Sequence, residues 1–226
     1  MEKPLEAQFD LSNISLPHYI AVEGPIGVGK TTLAKRLAMS FNYDTLLEQA
    51  AENPFLERSY VEPQSAALPA QLFFLFQRSQ QIQQLRQSDM FEPVHIADFL
   101  MEKDQVFAQA TLGEEELKLY QQVYEQMTID APAPDLVIYL QAPVNVLYER
   151  IQQRGEPLDR HIDIDYLSAL NDAYMRFFHY YDQSPLLIVN AAELDLAGNE
   201  EHYRQLVEYL LTIKSGRHYY NPTPTL

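Results

Sequence analysis

Residues Gly24-Pro25-Ile26-Gly27-Val28-Gly29-Lys30-Thr31-Thr32 match the pattern G-x-x-x-x-G-K-[ST]. Each part of that pattern has a task in holding phosphate. The glycines let successive backbone N–H groups turn inward around phosphate oxygens. A helix opening directly after them adds its partial positive charge. Lys30 would reach the β- and γ-phosphates of a nucleoside triphosphate, and the Thr31 hydroxyl would ligate Mg²⁺. A chance match in a chain of this length is on the order of one in a hundred. The plainer alternative is a Gly-rich turn with an incidental lysine, and it requires no strand before and no helix after. Arg150 and Arg154 lie four apart, on one face of a helix, and Gly155 frees the chain to bend after them. Guanidinium forks suit phosphate oxygens; a helix C-terminus stabilised by arginine is the simpler alternative.

The elements that must carry these residues can be read from hydropathy. Residues 19–23, 45–48, 94–97, 136–140 and 186–189 are short apolar runs that predict five strands. Helices are predicted over 30–41, 65–88, 99–111, 114–128, 144–153, 166–181 and 200–213. Residues 49–63, with Asn53-Pro54 and Glu62-Pro63, read as loop with one helical turn, and Pro69 falls near the first turn of the long helix. Residues 130–134 form a stiff linker and 154–162 a charged loop. Strands alternating with helices predict an α/β fold, a five-stranded parallel sheet flanked by helices. The P-loop follows the first strand, and Glu48 and Asp98 follow the second and third. Strand carboxyl ends line the ligand crevice of open α/β sheets. The expected organisation is a lead-in over 1–17, one domain over 18–213 and an extended tail over 214–226.

Composition narrows the partners. Asp plus Glu number 32 against 16 for Lys plus Arg, a net charge of −16. That field excludes a nucleic-acid polymer or an anionic membrane as the general partner. There is no cysteine, which excludes disulfides and thiol chemistry. No apolar run approaches the ~20 residues that span a bilayer. The first residues, Met-Glu-Lys-Pro-Leu-Glu-Ala-Gln, have no apolar core of a secretory signal, so a soluble cytoplasmic protein is expected.

The segment order and several spacings resemble the deoxynucleoside kinase family: the P-loop, then Glu48, Asn53-Pro54, Tyr60, and Gln71 and Arg78 seven apart. The closest likeness is to bacterial kinases of purine deoxynucleosides. The resemblance covers roughly residues 18–213 and implies transfer of phosphate from Mg-ATP to a deoxynucleoside 5′-hydroxyl, with a short Arg-rich lid of Arg150 and Arg154. It implies Glu48 as general base, Thr31 and Asp98 as the magnesium residues, and Gln71, Arg78 and Asp104 as readers of the base. Tyr60 with Asp165 would hold the sugar 3′-hydroxyl. It also implies a homodimer, for which the long helix with Phe73, Phe74 and Phe76 is the candidate surface. One departure stands out. The family has Arg after the acidic residue at the third strand's end, where it contacts phosphate, and this chain reads Asp98-Phe99-Leu100. The resemblance also makes Arg160 a candidate for the lid, in place of the family's basic residue at Glu156. Two other readings remain: a nucleoside monophosphate kinase, disfavoured because Glu48 to Glu57 carries no basic residue and only Arg58 is near, and a nucleotide-binding subunit without catalysis.

Overall fold

A computed structural model describes residues 16–88, 95–127, 131–196 and 198–221. Most of the expected lead-in, the first residue of the third expected strand, the start of the 130–134 linker and the end of the tail lie outside those residues. The sheet has six strands: β1 (Tyr19–Glu23), β2 (Asp44–Leu46), β3 (His95–Ala97), β4 (Leu136–Gln141), β5 (Leu186–Asn190) and β6 (Arg217–Tyr220). Their order is β2-β3-β1-β4-β5-β6, and every neighbouring pair is parallel. The chain therefore builds outward from β1 in both directions, which puts the P-loop at the middle of the sheet's carboxyl edge.

The sixth strand corrects the expectation of five. It arises in the segment read as tail, and the reason is its position. As the edge strand it is half exposed, so Arg217-His218-Tyr219-Tyr220 has no apolar run to announce it. Arg217 fastens it by donating to the carbonyls of Phe178 (2.9 Å), His179 (3.0 Å) and Tyr181 (2.9 Å).

Among the described residues, eight α-helices flank the sheet: α1 (Lys30–Phe41), α2 (Leu56–Val61), α3 (Pro63–Ser88), α4 (Lys103–Thr111), α5 (Glu114–Met127), α6 (Val144–Arg154), α7 (Ile164–Tyr180) and α8 (Glu200–Leu210). Side chains alternate across the strands, and both faces are covered. Ile20, Val22, Ile138 and Leu140 pack on one face with Leu33 and Leu37 of α1, Leu147 of α6 and Leu206 of α8. Ala21, Val137 and Tyr139 pack on the other with Leu170, Tyr174 and Phe178 of α7. Tyr139 and Phe178 stack with ring centroids 4.1 Å apart. Each such large side chain contributes about 1.5–3 kcal/mol by leaving water. A third cluster joins α3, α4 and α5 through Leu75, Ile82, Phe99, Ala108 and Tyr120.

Among the boundaries that differ from expectation, two concern the helices α3 and α4. The α4 helix begins at Lys103, not 99. Phe99, Leu100 and Met101 are all buried, Leu100 toward α7 and its neighbours toward α3 and α5, and one helical face cannot point three consecutive residues to opposite clusters. The α3 helix begins at Pro63, so Pro69 falls beyond its first turn. Phe74 of α3 is buried, whereas Phe76 is exposed.

Candidate active site

The chemistry is organised around the turn between β1 and α1. Gly24, Gly27 and Gly29 all have positive φ (148°, 81° and 105°). At Gly24 a Cβ would run into the Leu140 carbonyl, and at Gly27 it would lie 2.7 Å from Ile151 Cγ1. The loop thus passes too close to β4 and α6 for any side chain there. Val28, between them, is buried in the core beneath the loop. Glu23, at the end of β1, fixes the start of the turn. Its buried carboxylate accepts from the N–H of Gly24 (2.9 Å), the N–H of Leu100 (2.8 Å) and the Tyr174 hydroxyl (3.0 Å). Lys30 Nζ folds over the loop and donates to the carbonyls of Gly24 (2.7 Å) and Pro25 (3.2 Å). Burial, helped by the nearby Lys103 ammonium, lowers the Lys30 pKa to about 8.

Thr31 Oγ1 donates to Asp98 Oδ2 at 2.5 Å. The other oxygen of Asp98 accepts from the N–H of Glu48 at 2.7 Å. Asp98 therefore ties the P-loop helix to the segment after β2. Glu48 was expected to end that strand, but it lies two residues beyond Leu46, where a bent chain turns its carboxylate toward the cavity. Glu48 Oε2 accepts from Lys103 Nζ at 2.6 Å, and Oε1 pairs with Arg78. Arg78 also pairs with Asp104. Burial raises the Glu48 pKa, but Lys103 and Arg78 outweigh it and hold the carboxyl well below the usual carboxylate range.

These groups border a cavity of about 550 Å³ whose lining includes Ile26, Lys30, Thr31, Glu48, Tyr60, Gln71, Arg78, Asp98, Lys103 and Arg154. A second cavity of about 240 Å³ shares Tyr60 and Gln71 with it and adds Thr111 and Tyr166. Asp104 sits wholly buried behind Arg78; its Oδ2 and the Arg78 Nε have no hydrogen-bond partner among the described residues. The Arg78 guanidinium lies 5.2 Å from the Phe74 ring centroid and 5.6 Å from that of Phe99. Phe99 is thus buried behind the site, beside Arg78.

The expected residues do not all converge. Asp165 is exposed in the first turn of α7 and does not border either cavity. Asp159 is instead a buried carboxylate that borders the larger cavity with Tyr60 and, after Glu48, acts electrostatically on the tyrosine. Burial first, then Glu48 and Asp159, pushes the Tyr60 pKa above its ordinary value. Asp159 lies in a short 3₁₀ turn (Asp159–His161), which carries no periodic signal. Arg154 forms a two-pronged pair with it, at 3.0 and 2.5 Å. Arg150, one turn back, donates instead to the carbonyls of Ala191 (2.8 Å) and Ala192 (3.2 Å). It borders a separate cavity of about 360 Å³ with Gly27, Gly29, Thr32, and Ala192 to Leu196. The two arginines thus address opposite sides of the P-loop. Arg160 is exposed and pairs with Glu57. Besides Asp159, the sequence reading missed Glu23 and Lys103. Glu23 reads as the end of an apolar strand, and Lys103 as one more helical surface charge.

A glycine cradle at the centre of a parallel sheet, with a lysine over it and a carboxylate one short reach from its threonine, defines a P-loop phosphotransferase. The comparisons carry this further. The sequence model of the deoxynucleoside kinase family matches residues 20–213, and the chain belongs to that family. It is 37% identical over 160 residues to the deoxyguanosine kinase of Bacillus subtilis (strain 168), covering 69% of this chain and 76% of that one. It is 27% identical over 204 residues to the deoxyadenosine/deoxycytidine kinase of the same organism, covering 86% and 92%. Among solved structures, the deoxyadenosine kinase of M. mycoides with bound dATP matches with a TM-score of 0.73 and 26% identity, over 85% of this chain and 98% of that one.

Proposed function

We propose that the chain uses Mg-ATP to phosphorylate the 5′-hydroxyl of a purine deoxynucleoside, deoxyguanosine or deoxyadenosine, as a cytoplasmic homodimer in nucleotide salvage. The observation that carries this reading is Glu48. It is an ionised carboxylate on the wall of a cavity that also holds Lys30 and Thr31, so base and phosphate cradle share one space.

In this reading the loop amides and Lys30 hold the β- and γ-phosphates. The cavity bordered by Arg150 and residues 192–196, on the far side of the loop, takes the adenine end of ATP. Thr31 and Asp98 suit magnesium, because a hydroxyl and a carboxylate within hydrogen-bond reach are hard oxygen donors of the kind that ion takes alongside phosphate. The ion would neutralise charge on the phosphates when bound. Glu48 accepts the proton of the acceptor hydroxyl as the oxygen attacks, and orients that hydroxyl in line. Tyr60 and Asp159 hold the sugar, a role in which Asp159 replaces the expected Asp165. Gln71 can donate and accept at one base edge, beside Arg78, which Asp104 holds in place from behind. The relatives' named substrates favour purines.

The test is ADP release from ATP with a panel of deoxynucleosides, ribonucleosides and monophosphates. Turnover with deoxyguanosine or deoxyadenosine is expected. Turnover with monophosphates alone would overturn the assignment. Tight ATP binding with no turnover on any acceptor would favour a binding subunit instead.

A further inference from the structure

Four cations border the main cavity: Lys30, Arg78, Lys103 and Arg154. Three are already committed. Lys30 belongs to the cradle, Arg78 is held by two carboxylates, and Arg154 is held two-pronged by Asp159. Lys103 differs. It is buried on the first turn of α4, and its one hydrogen-bond partner among the described residues is Glu48 Oε2. With Arg78 it balances Glu48 and Asp104, two cations against two carboxylates, and of the two it holds the Glu48 carboxyl down more strongly. It is also the charged group that acts most strongly on Lys30, and both lysines border the same cavity as Glu48.

The position directly after Asp98 offers no cation. Phe99 is fully buried against α3 and α5. The start of α4 at Lys103 follows from that burial, because the apolar segment 99–101 must pack before the helix can begin. Lys103 is then the first residue of the helix, with its Nζ over the Phe107 ring, 5.4 Å from the centroid.

We propose that Lys103 is a catalytic residue that leaves Glu48 when the acceptor hydroxyl arrives and contacts the phosphoryl group in transfer. The inference rests on the kinase reading above. The acceptor hydroxyl needs an oxygen of Glu48, and Oε2 is the one whose partner can move: Arg78 is fixed between two carboxylates, whereas Lys103 has four rotatable methylenes and three donors. The acceptor proton passes to Glu48 Oε2, the acceptor oxygen bonds to the γ-phosphorus, and the bond from that phosphorus to the β–γ bridging oxygen breaks to leave ADP. Lys103, released from its carboxylate, stabilises the charge on a non-bridging oxygen of the group in flight. The exchange also keeps the free enzyme in order, because Glu48 stays paired until substrate displaces the lysine.

The test uses the full chain with Lys103→Gln, Lys103→Met and Lys103→Arg. Gln removes the charge and carries N–H donors that can still turn toward Glu48, on a side chain one bond shorter. For Gln and Met, kcat is expected to fall about 100-fold or more, in the range seen on removing one transition-state donor. KM for ATP and for the nucleoside should stay near wild type, and Arg should recover most of the loss. Inhibition by ADP with aluminium fluoride, a mimic of the group in transfer, should weaken by a similar factor while ADP alone binds as before. A purely structural lysine would not separate those two ligands. Gln or Met at wild-type kcat, or a loss confined to KM for the nucleoside, overturns the proposal. A wild-type enzyme with no turnover on any nucleoside overturns the kinase reading, and this inference with it. Lys103→Gln, which leaves Glu48 paired to Arg78 and bonded to an amide, is the variant to use if Met lowers the melting temperature.

Discussion

Replacing Glu48 by Gln removes the base while keeping its size, and the structure fixes what else changes. Both carboxylate oxygens now accept from cations, Oε1 from Arg78 and Oε2 from Lys103. An amide can offer an oxygen to only one of them and must turn its NH₂ toward the other. Arg78 keeps Asp104, so the weaker outcome falls on Lys103, which loses its described partner. A hydrogen bond to a charged group contributes about 1.5–3 kcal/mol. In a chain of this size each kcal/mol moves Tm by roughly 2–4 °C, so the variant should melt several degrees lower and still fold. Turnover should fall much further. Loss of a positioned base costs about 10²–10⁴ in rate, and a fall of 10³ corresponds to about 4 kcal/mol of barrier. ADP release at saturating ATP and deoxyguanosine reads kcat, and calorimetric titration reads ATP binding. The cradle is built from loop amides and Lys30, so ATP affinity should change little. A Glu48→Gln enzyme that retains a tenth of wild-type kcat at an unchanged melting temperature would show that the proton is taken elsewhere.

Other outcomes follow from the same geometry. Asp159→Asn should raise KM for the nucleoside and lower kcat by about tenfold or more, since orientation of the acceptor is lost, while Asp165→Asn should leave both unchanged; steady-state kinetics on the pair reverses the assignment if the effects are exchanged. The Lys30 pKa of about 8 in the free protein means the lysine is charged below pH 8 and loses its proton above it. ATP affinity should therefore weaken as pH rises from 7 to 9.5, with proton uptake on binding near pH 8.5, both measurable by titration in buffers of different ionisation enthalpy. The depressed Glu48 carboxyl contributes stability above the ordinary carboxylate range that is lost as pH falls through its folded value, so Glu48→Gln should flatten the acid side of a Tm–pH curve. Arg217→Ala removes donors to three carbonyls at and just beyond the end of α7 and should cost about 1–2 kcal/mol in denaturant melts without changing KM for ATP.

Legibility of the site tracked how locally each residue is determined. The P-loop was fully legible because its function is a backbone conformation, and backbone conformation is encoded by neighbouring glycines. Glu48, Gln71, Arg78 and Asp104 were placed by resemblance, and the folded chain brings Glu48, Arg78 and Asp104 into one ion-pair chain with Gln71 on the same cavity wall. Asp159 was missed for a physical reason. The charged stretch 154–162 has no period, so nothing local says which of its carboxylates turns inward, and Asp165 was placed by resemblance. Burial decides it: Asp159 is covered by Arg154 and the wall of the cavity, whereas Asp165 on the first turn of α7 faces solvent. The edge strand β6 was missed because an edge needs pairing on one side only, and half-exposed tyrosines and histidine satisfy that without a hydrophobic run.

The net charge of −16 sharpens the functional argument once the site is in view. An acidic chain that binds a triphosphate must concentrate its few cations, and four of them border one cavity. Three of these are held by carboxylates of the chain itself, Arg78 by Glu48 and Asp104, Lys103 by Glu48, and Arg154 by Asp159. Such pairing compensates the buried Arg78 and Lys103, where an unpaired charge would cost stability. In the proposed mechanism it also gives the substrate something to displace. A nucleoside hydroxyl that took Glu48 from Lys103, and a sugar that took Asp159 from Arg154, would each free a cation. Phosphate activation would then follow acceptor binding, and futile hydrolysis of ATP by water would be suppressed. Asp159→Asn, which frees Arg154 without substrate, is accordingly expected to raise the ratio of acceptor-independent to acceptor-dependent ADP release; an unchanged ratio would show that Arg154 is not restrained by this pair.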